Sequence, residues 1–391
     1  MNDVKQPPIS LTEYVSPYTI DVQHSGRGPK ILLVVHEFSR TGTPYAVLYL
    51  ARALLSIHGE RPLVISPKEG PLRKEFEKEG FVTLIDPLLF SYTYYSAEAC
   101  DFVADFDQVI ATSISSYKFI RFFRGIGKRM TWWIHEAEAT VKLVAGKVDL
   151  PLLFAACESI WLGSPLCFPP VSQYASREKL HQLYYGCPDT ALPHNPHTSG
   201  KIVFLNVGTI ERRKGQDIFL EAIERLPEAL RKKAIFRIIG SLHLSVSDSD
   251  VTYYSAIREK AALIPEVEYY ENMPLERLQG FYAESDVFVS ASRVDPMPIV
   301  ITQGLMNSKV CLCSSATGQA QLLDEGKNGL IFKSGSVEEL SSQLAWILEN
   351  SDKLDAIGIA GRAIYDQYFD MSKFVTNVKH LLGEKSTNSF S

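Results

Sequence analysis

The chain has 391 residues, of which 46% are hydrophobic and 22% charged, and its formal net charge is −5. This length is too great for one ordinary core and suits two domains, and the composition is that of a globular protein. The acidic balance excludes a general nucleic-acid binder, and six cysteines without a CxxC pair predict buried, reduced thiols instead of a zinc site.

The first 29 residues are polar and rich in proline and glycine, so we expect an N-terminal arm over 1–29. They show no signal-peptide pattern, and the apolar runs of the chain are far shorter than the roughly 20 residues that span a bilayer. We therefore expect a cytoplasmic protein that touches, at most, the inner face of the cell membrane.

Strands alternate with helical stretches over residues 30–192, which predicts one Rossmann-like domain. The helical stretch is YAVLYLARALLSIHG, which ends in a glycine. The predicted strands are KILLVV, RPLVIS, FVTLID, FDQVIAT, MTWWIHE and SIWLGSP, the last of which should close this half.

Residues 193–200 contain breakers without periodicity and predict a linker. The alternation restarts over 201–368, which predicts a second Rossmann-like domain, and 369–391 should form a C-terminal helix that returns to the first domain. Its strands are IVFLNVG, IFRIIG, VEYYE, DVFVSAS, KVCLCS and GLIF, and its helices include GQDIFLEAIERLP and IVITQGLMNS. In such folds ligands bind at the carboxyl ends of strands, so we expect a site in a cleft between the two domains.

The stretch LNVGTIERRKGQD places a turn between a buried strand and a helix. Gly208 allows a ligand close to the backbone, and the helix that follows presents its positive end. Arg213 offers a bidentate fork and Lys214 a point charge for a diphosphate. The alternative is a solvated basic turn, which the strand-end position and Gly215 make less favourable.

Three segments together resemble the retaining glycosyltransferases of family 4, which have the GT-B fold of two facing Rossmann-like domains. They are FLNVGTIERRKGQDIFLEAI, DVFVSASRVDPMPIVITQGLM and TGQAQLLDEGKNGLIF. The resemblance runs from roughly 30 to 380 and is stronger in the second half, which binds the donor in that family. It implies a metal-independent enzyme without a cofactor, whose donor substrate is a nucleotide-diphosphate sugar.

The resemblance also implies roles for the residues of the basic turn. Lys214 matches the lysine of the family's KG step and would hold the diphosphate. Other members carry an arginine where this chain has Thr209, and Arg213 is the substitute that we expect to take over that role.

In the family, two glutamates with seven residues between them hold the donor sugar and the ribose. Asp295 and Gln303 occupy these positions here, and Met297, Pro298, Ile299 and Val300 form the loop whose amides would approach the phosphates and the sugar. Replacing a ribose-binding carboxylate by an amide should cost on the order of 1 kcal/mol, which weakens donor binding without abolishing it. The alternative makes Gln303 an ordinary residue on the surface of a helix.

In the first half, HEFSRTGTPYAVLYLARAL resembles the family's glycine loop, where Gly42 would allow close approach of the donor. His36 and Glu37 stand where the acceptor should enter. The resemblance implies that His135, at the end of another strand, contacts the donor sugar; the alternative is a structural histidine.

Retention in this fold is usually explained without a protein nucleophile: the acceptor hydroxyl attacks the face that the diphosphate leaves, and the phosphate takes the proton. Asp295 would then bind a sugar hydroxyl and offset positive charge on the sugar while the cations stabilise the leaving diphosphate.

The segment YKFIRFFRGIGKRMTWW carries basic residues among aromatic ones and no acid, which suits an anionic membrane or a lipid-diphosphate acceptor. Its basic residues are Lys118, Arg121, Arg124, Lys128 and Arg129. The alternative is a helix with a solvated basic face.

The leading hypothesis is a retaining glycosyltransferase that acts on a glycan, a lipid-linked sugar or a glycosylated protein. Two others remain. The first is a non-catalytic glycosyltransferase-like subunit that binds a glycosylated acceptor or a partner enzyme, which the departures at Gln303 and Thr209 favour. The second is a sugar-nucleotide epimerase of the same fold, which should show additional acids and histidines near the hinge.

Overall fold

The computed structural model describes Tyr18, Gly26 and residues 28–90, 97–242 and 248–383. The predicted arm over 1–29 therefore lies almost entirely outside the described residues. Its one buried side chain among them is Tyr18, whose hydroxyl donates to Asp86 Oδ2 over 2.5 Å and whose ring lies 5.1 Å from that of Phe102.

Among the described residues, seven strands form the first sheet, in the order β3-β2-β1-β4-β5-β6-β7. The strands are β1 (Ile31–Val34), β2 (Leu63–Ser66), β3 (Thr83–Ile85), β4 (Gln108–Thr112), β5 (Arg129–Ile134), β6 (Ser159–Leu162) and β7 (Leu180–Gln182). The helices along this part of the chain are α1 (Gly42–His58), α2 (Arg73–Lys78), α3 (Ala97–Ala104), α4 (Tyr117–Phe123), α5 (Glu138–Ala145), α6 (Leu150–Ala156) and α7 (Phe168–Val171).

The central strand β1 is buried throughout and pairs in parallel with β2 and β4, with Leu32 opposite both Leu63 and Val109. All six predicted strands of this half are present. The prediction that SIWLGSP closes the half is wrong, because β7 follows it at the edge of the sheet. The three residues of β7 are half-buried or exposed and carry no apolar run, so no strand pattern marked them.

The second sheet, in the part of the chain that the structure describes, has six strands in the order β10-β9-β8-β11-β12-β13. The strands are β8 (Ile202–Val207), β9 (Ala234–Ile239), β10 (Val267–Tyr270), β11 (Val287–Ser290), β12 (Val310–Ser314) and β13 (Leu330–Phe332). The helices are α8 (Gln216–Arg225), α9 (Glu228–Arg231), α10 (Asp248–Ala262), α11 (Leu275–Glu284), α12 (Ile299–Met306), α13 (Val337–Glu349), α14 (Leu354–Tyr368) and α15 (Met371–Leu381).

The strand order makes β8 and β11 direct neighbours, although about 80 residues separate them along the chain. Val287 of β11 lies opposite Phe204 of β8, and both side chains are fully buried. The loops that leave the carboxyl ends of these two strands therefore emerge side by side, and they carry the basic turn and Asp295.

Within the predicted C-terminal helix over 369–391, the described residues form α15, which follows α14 after Phe369 and Asp370. The Asp370 carboxylate accepts from the amide of Ser372 over 2.8 Å and so begins the second helix. Phe374 of this helix is buried against Gly186, where an added Cβ would lie 2.6 Å from the ring. The return of this helix to the first domain remains a prediction.

The chain divides into two compact units. The first unit consists of the chain up to Trp133 together with Lys147–Ile160. The second unit consists of Ile134–Gly146 together with the chain from Trp161 onward. None of the helices in the described part of the chain has both the length and the hydrophobicity needed to cross a membrane.

Candidate active site

The basic turn after β8 is held in close contact with the loop after β11. Arg212–Lys214 form a 3-10 turn, and Gly215 follows in the left-handed region at φ 70°. A Cβ on Gly215 would lie 2.0 Å from the carbonyl oxygen of Ala291, so only glycine fits here. The next residue begins α8, which leaves Lys214 at the junction between turn and helix.

The backbone of Asp295 is hydrogen-bonded to the loop that follows β12. Its amide donates to Ala316 O and its carbonyl accepts from Gly318 N, both over 2.9 Å. An added Cβ on Gly318 would lie 1.6 Å from Pro296 O, so this contact again requires glycine. The loop after β12 thus fixes the residue that carries the acid.

The carboxylate of Asp295 is paired with both cations of the basic turn. Lys214 Nζ lies 2.6 Å from Oδ2 and Arg213 Nη1 lies 3.5 Å from Oδ1, while Ser292 Oγ donates to Oδ2 over 3.3 Å. Asp295 is only 6% exposed. Burial raises its pKa, but the attraction of Lys214 and Arg213 outweighs burial and holds the pKa below its usual value.

Arg213 also has a second acidic neighbour. Its Nη2 donates to Glu211 Oε1 over 2.6 Å, and its Nη1 donates to the carbonyl of Val294 over 3.2 Å. Burial lowers the pKa of Arg213, but Asp295 and Glu211 together raise it above its usual value. In this arrangement two carboxylates balance the two cations.

A small pocket lies beside the cation–carboxylate cluster, within the second unit. It is lined by Asn206, Val207, Lys214, Gln216, Val289, Ser290, Ser292, Asp295, Pro298 and Val300. Gly208 borders it, since an added Cβ there would lie 3.6 Å from Lys214 Cε. The structure therefore brings together the predicted residues Lys214, Asp295, Pro298 and Val300.

Thr209 contributes its backbone to this region. Its carbonyl accepts from the buried amide Nε2 of Gln216 over 2.9 Å, which ties the start of α8 back to the loop. The loop from Met297 to Val300 runs into the first turn of α12, which contains no acidic residue. The N-terminus of a helix suits an anion.

Gln303 is 8% exposed, so the alternative of a helix-surface residue is wrong. Its Nε2 donates to the sulfur of Cys187 over 3.4 Å, and Gln303 is not among the residues that line the pocket. Burial, followed by the nearby Asp189, raises the pKa of Cys187 to about 12, so its thiol is neutral at physiological pH.

His135 and Gly42 lie in loops or helices that adjoin strands of the first sheet. His135 follows β5, and an added Cβ on Gly163, after β6, would lie 2.6 Å from its Nδ1. Gly42 begins α1 in the first unit and is exposed, with no atom within 4 Å of an added Cβ. Their roles in the site remain predictions.

Several residues of this region have no counterpart in the sequence-based prediction. Asn206 interrupts an otherwise apolar strand and donates to Val289 O over 2.9 Å, so a polar residue inside a buried strand could have marked it. Ser164 Oγ, which donates to Pro296 O, and Gln319 Nε2, which donates to Pro298 O over 2.9 Å, gave no comparable signal.

The six cysteines are unpaired thiols, and all except Cys100 are buried, as predicted. Among the described residues, no three His, Cys, Asp or Glu side chains gather as a metal site requires. Metal independence stays a prediction.

Two family profiles match most of the chain. The profile described as glycosyl transferases group 1 matches residues 189–364, which include the basic turn, Asp295 and Gln303. The profile described as glycosyl-transferase family 4 matches residues 27–153, which include Gly42 and His135.

A curated relative is the sulfoquinovosyl transferase SQD2 of Arabidopsis thaliana, 24% identical over 171 residues. The match covers 43% of this chain and spans about a third (31%) of that protein.

Solved structures resemble the fold over nearly the whole chain. HepE of Anabaena, in complex with UDP and glucose, superposes with a TM-score of 0.76 at 16% identity and covers 91% of this chain and 100% of its own. The lipopolysaccharide outer core galactosyltransferase WaaB gives a TM-score of 0.67 at 13% identity, with 90% and 99% covered. The predicted GT-B fold with two Rossmann-like domains is thereby confirmed, and the chain belongs to the group 1 glycosyltransferases of family 4.

Proposed function

We propose that this protein transfers a sugar from a nucleotide-diphosphate sugar to a glycan, a lipid-linked sugar or a glycosylated protein, with retention of anomeric configuration. The observation that carries the proposal is the pair of cations, Arg213 and Lys214, held beside a pocket at the carboxyl ends of β8 and β11. A fixed arginine–lysine pair near helix N-termini is suited to a diphosphate.

A uridine nucleotide is the first donor to test. HepE, which shares the fold, is described in complex with UDP and glucose. The phosphates of the donor would compete with Asp295 and Glu211 for the two cations, because both carboxylates are paired with them here. On this view Asp295 keeps Lys214 in place before the donor arrives and binds the sugar afterwards.

The proposed chemistry needs no nucleophile from the protein. The acceptor oxygen forms a bond to the anomeric carbon as the bond from that carbon to the diphosphate oxygen breaks. The proton of the acceptor hydroxyl passes to the departing diphosphate. Lys214 and Arg213 would stabilise the charge that develops on this leaving group, which lowers the barrier without a metal ion.

The basic segment after β4 suits an acceptor that is anchored in an anionic membrane. Arg121 and Arg124 are exposed and Lys118 and Lys128 are partly exposed, and none of the four forms an ion pair with another described residue. Arg129 differs, since it pairs with Glu158 over 2.8 Å. We therefore propose peripheral membrane contact through the four unpaired cations.

A non-catalytic subunit is the second candidate, and the observation that favours it is Gln303, whose amide faces Cys187.

The two candidates are distinguished by turnover of the sugar donor, which only an enzyme carries out. We would incubate the protein with UDP-, GDP- and ADP-sugars and measure both calorimetric binding and release of nucleoside diphosphate. A CMP-sugar, which lacks a diphosphate, and the variant Lys214→Ala serve as controls.

An enzyme should bind one diphosphate sugar and slowly hydrolyse it even without acceptor, and Lys214→Ala should reduce both signals by about 100-fold. NMR of the released sugar would then show whether the configuration is retained. Binding without turnover, with or without added glycan acceptors, would favour the subunit. The absence of binding by any donor would exclude the proposed transfer.

A further inference from the structure

Beside the cation–carboxylate cluster lies a second ion pair, between Asp217 and Arg293. Arg293 Nη1 donates to Asp217 Oδ1 over 2.9 Å and Nη2 donates to Oδ2 over 2.8 Å, which is the parallel bidentate geometry. Asp217 lies in the first turn of α8, and Arg293 lies two residues before Asp295. The pair therefore joins the element after the basic turn to the loop that carries the acid.

The backbone of the basic turn is bound by the same arginine. Arg293 Nη1 also donates to Arg212 O over 2.7 Å, and the amide of Arg293 donates to Arg213 O over 2.8 Å. In return, Arg213 Nη1 donates to Val294 O. Arg212 and Arg213, the two residues directly before Lys214, thus each contact residues 293–294.

Asp217 is itself fixed by a buried residue of α10. Tyr253 is 6% exposed, and its hydroxyl donates to Asp217 Oδ1 over 2.9 Å while it accepts from Asp217 N over 3.2 Å. Burial raises the pKa of Asp217, but the hydrogen bonds from Arg293 and Tyr253 outweigh burial and hold the pKa below its usual value. The carboxylate is therefore ionised at neutral pH.

We infer that Arg293 and Asp217 are positioning residues, which set the location of the Arg213 and Lys214 cations for the diphosphate without touching it. The inference rests on the proposed function and deepens it. Asp295 binds the cations directly, but it would have to share them with the incoming phosphates. Neither Asp217 nor Arg293 lines the pocket, so this pair can hold the two loops together through donor binding and turnover.

The test compares Arg293→Ala with a matched variant, Arg231→Ala. Arg231 donates to Glu266 over 2.8 Å in the same unit and has no contact with the basic turn, so it reports the general cost of removing an arginine ion pair. Calorimetry with UDP, GDP and ADP identifies the nucleotide that the unaltered protein binds. The affinities of that diphosphate and of its monophosphate are then measured for both variants, together with KM and kcat for the sugar donor.

Arg293→Ala should weaken diphosphate binding by about tenfold and monophosphate binding by no more than about threefold, because a small displacement of both cations affects two phosphates more than one. The value of kcat should also fall, and KM should rise. Arg231→Ala should leave all these values within about twofold of the unaltered protein. Arg293→Lys, which keeps the charge without the bidentate fork, should be intermediate.

Equal losses for diphosphate and monophosphate, or an unchanged affinity for both, would overturn the positioning role while leaving the proposed function intact. If the unaltered protein binds none of the three nucleoside diphosphates, both the positioning role and the proposed function are overturned. If Arg293→Ala fails to fold, Tyr253→Phe provides the same test, because it removes the hydroxyl that fixes Asp217. An unchanged diphosphate affinity in folded Tyr253→Phe and Arg293→Lys would then overturn the inference.

Discussion

Lys214 Nζ lies 2.6 Å from Asp295 Oδ2, and the carboxylate is almost fully buried. The two residues are separated by 81 positions in the chain. They meet because β8 and β11 are neighbours in the second sheet and both loops leave from the same edge. This contact would join the stability of the second unit to the proposed binding of a diphosphate, and the first predictions follow from it.

The Asp295 pair makes stability depend on pH. Because the pKa of Asp295 lies below its ordinary value of 3.8 in the folded protein, the ionised carboxylate favours folding. This contribution is complete at neutral pH and is lost as the pH falls through the folded-state pKa. Asp295→Asn should therefore be less stable than the unaltered protein at pH 7, and the difference should shrink at about pH 3.5. Guanidinium unfolding at both pH values measures this, with exposed Asp352→Asn as control. A difference that is constant with pH would contradict the prediction.

Under the proposed function, Glu211 should compete with phosphate for Arg213. The side chains of Glu211 and Arg213 are 32% and 41% exposed, so the pair itself adds little stability, but it occupies the guanidinium that would bind the proposed donor. Glu211→Gln should therefore bind nucleoside diphosphate up to about threefold more tightly, without a change in melting temperature. Glu228→Gln, which removes an exposed partner of Lys232 away from the site, should have no effect. Weaker binding by Glu211→Gln would show that Glu211 orients Arg213 productively instead of competing for it.

Gln303 can be tested by restoring the acid that the family carries at this position. Since the neighbouring Cys187 thiol is neutral and can donate to a carboxylate, Gln303→Glu is compatible with the packing. We expect it to raise donor affinity several-fold, because a charged hydrogen bond to ribose contributes about 1 kcal/mol more than a neutral one. Gln173→Glu on the exposed surface controls for the added charge. A lower affinity in Gln303→Glu would mean that Gln303 does not face the ribose.

Gly215 should tolerate no side chain. Gly215→Ala places an alanine in the left-handed backbone region, which reduces the free energy of unfolding by about 1–2 kcal/mol. Its Cβ would also clash with Ala291 O. The variant should therefore unfold at lower temperature and lose diphosphate affinity as Lys214 moves. Gly280→Ala is the opposite case, because Gly280 lies inside α11 with no atom within 4 Å of an added Cβ, and it should gain about 0.5–1 kcal/mol. Equal stability of the two variants would contradict this account of the turn.

The unpaired cations of the basic segment should bind anionic vesicles. Reversing Arg121 and Arg124 to glutamate should reduce co-sedimentation with phosphatidylserine-containing vesicles by at least about tenfold, at roughly 1 kcal/mol for each basic residue near the surface. Reversing the exposed Lys327 and Lys353 changes the net charge equally and should have little effect. Equal losses for the two pairs would show a general charge effect, and vesicle binding that is independent of anionic lipid would exclude the contact.

Local pattern determined the secondary structure and the order of the elements. Continuous apolar runs such as Ile31–Val34 have one physical solution, a parallel strand buried on both faces. The positions of Gly208 and Gly215 marked the turn between β8 and α8 for a similar local reason. The sequence also placed Lys214 and Asp295 at strand ends, and the resemblance connected them with one ligand. Strand β7 was not predicted, because a short edge strand buries too little surface to require an apolar pattern in the sequence.

Only the tertiary structure decided which charges meet. The Asp217–Arg293 and Arg213–Asp295 pairs, and the burial of Gln303 against Cys187, depend on loops brought together by strand pairing. The spacing of apolar residues within one helix or strand predicts which face of it is buried, because each element buries its own apolar side chains. A pair of polar groups contributes only when both lie at hydrogen-bond distance, and that distance is set by the register of strands far apart in the chain.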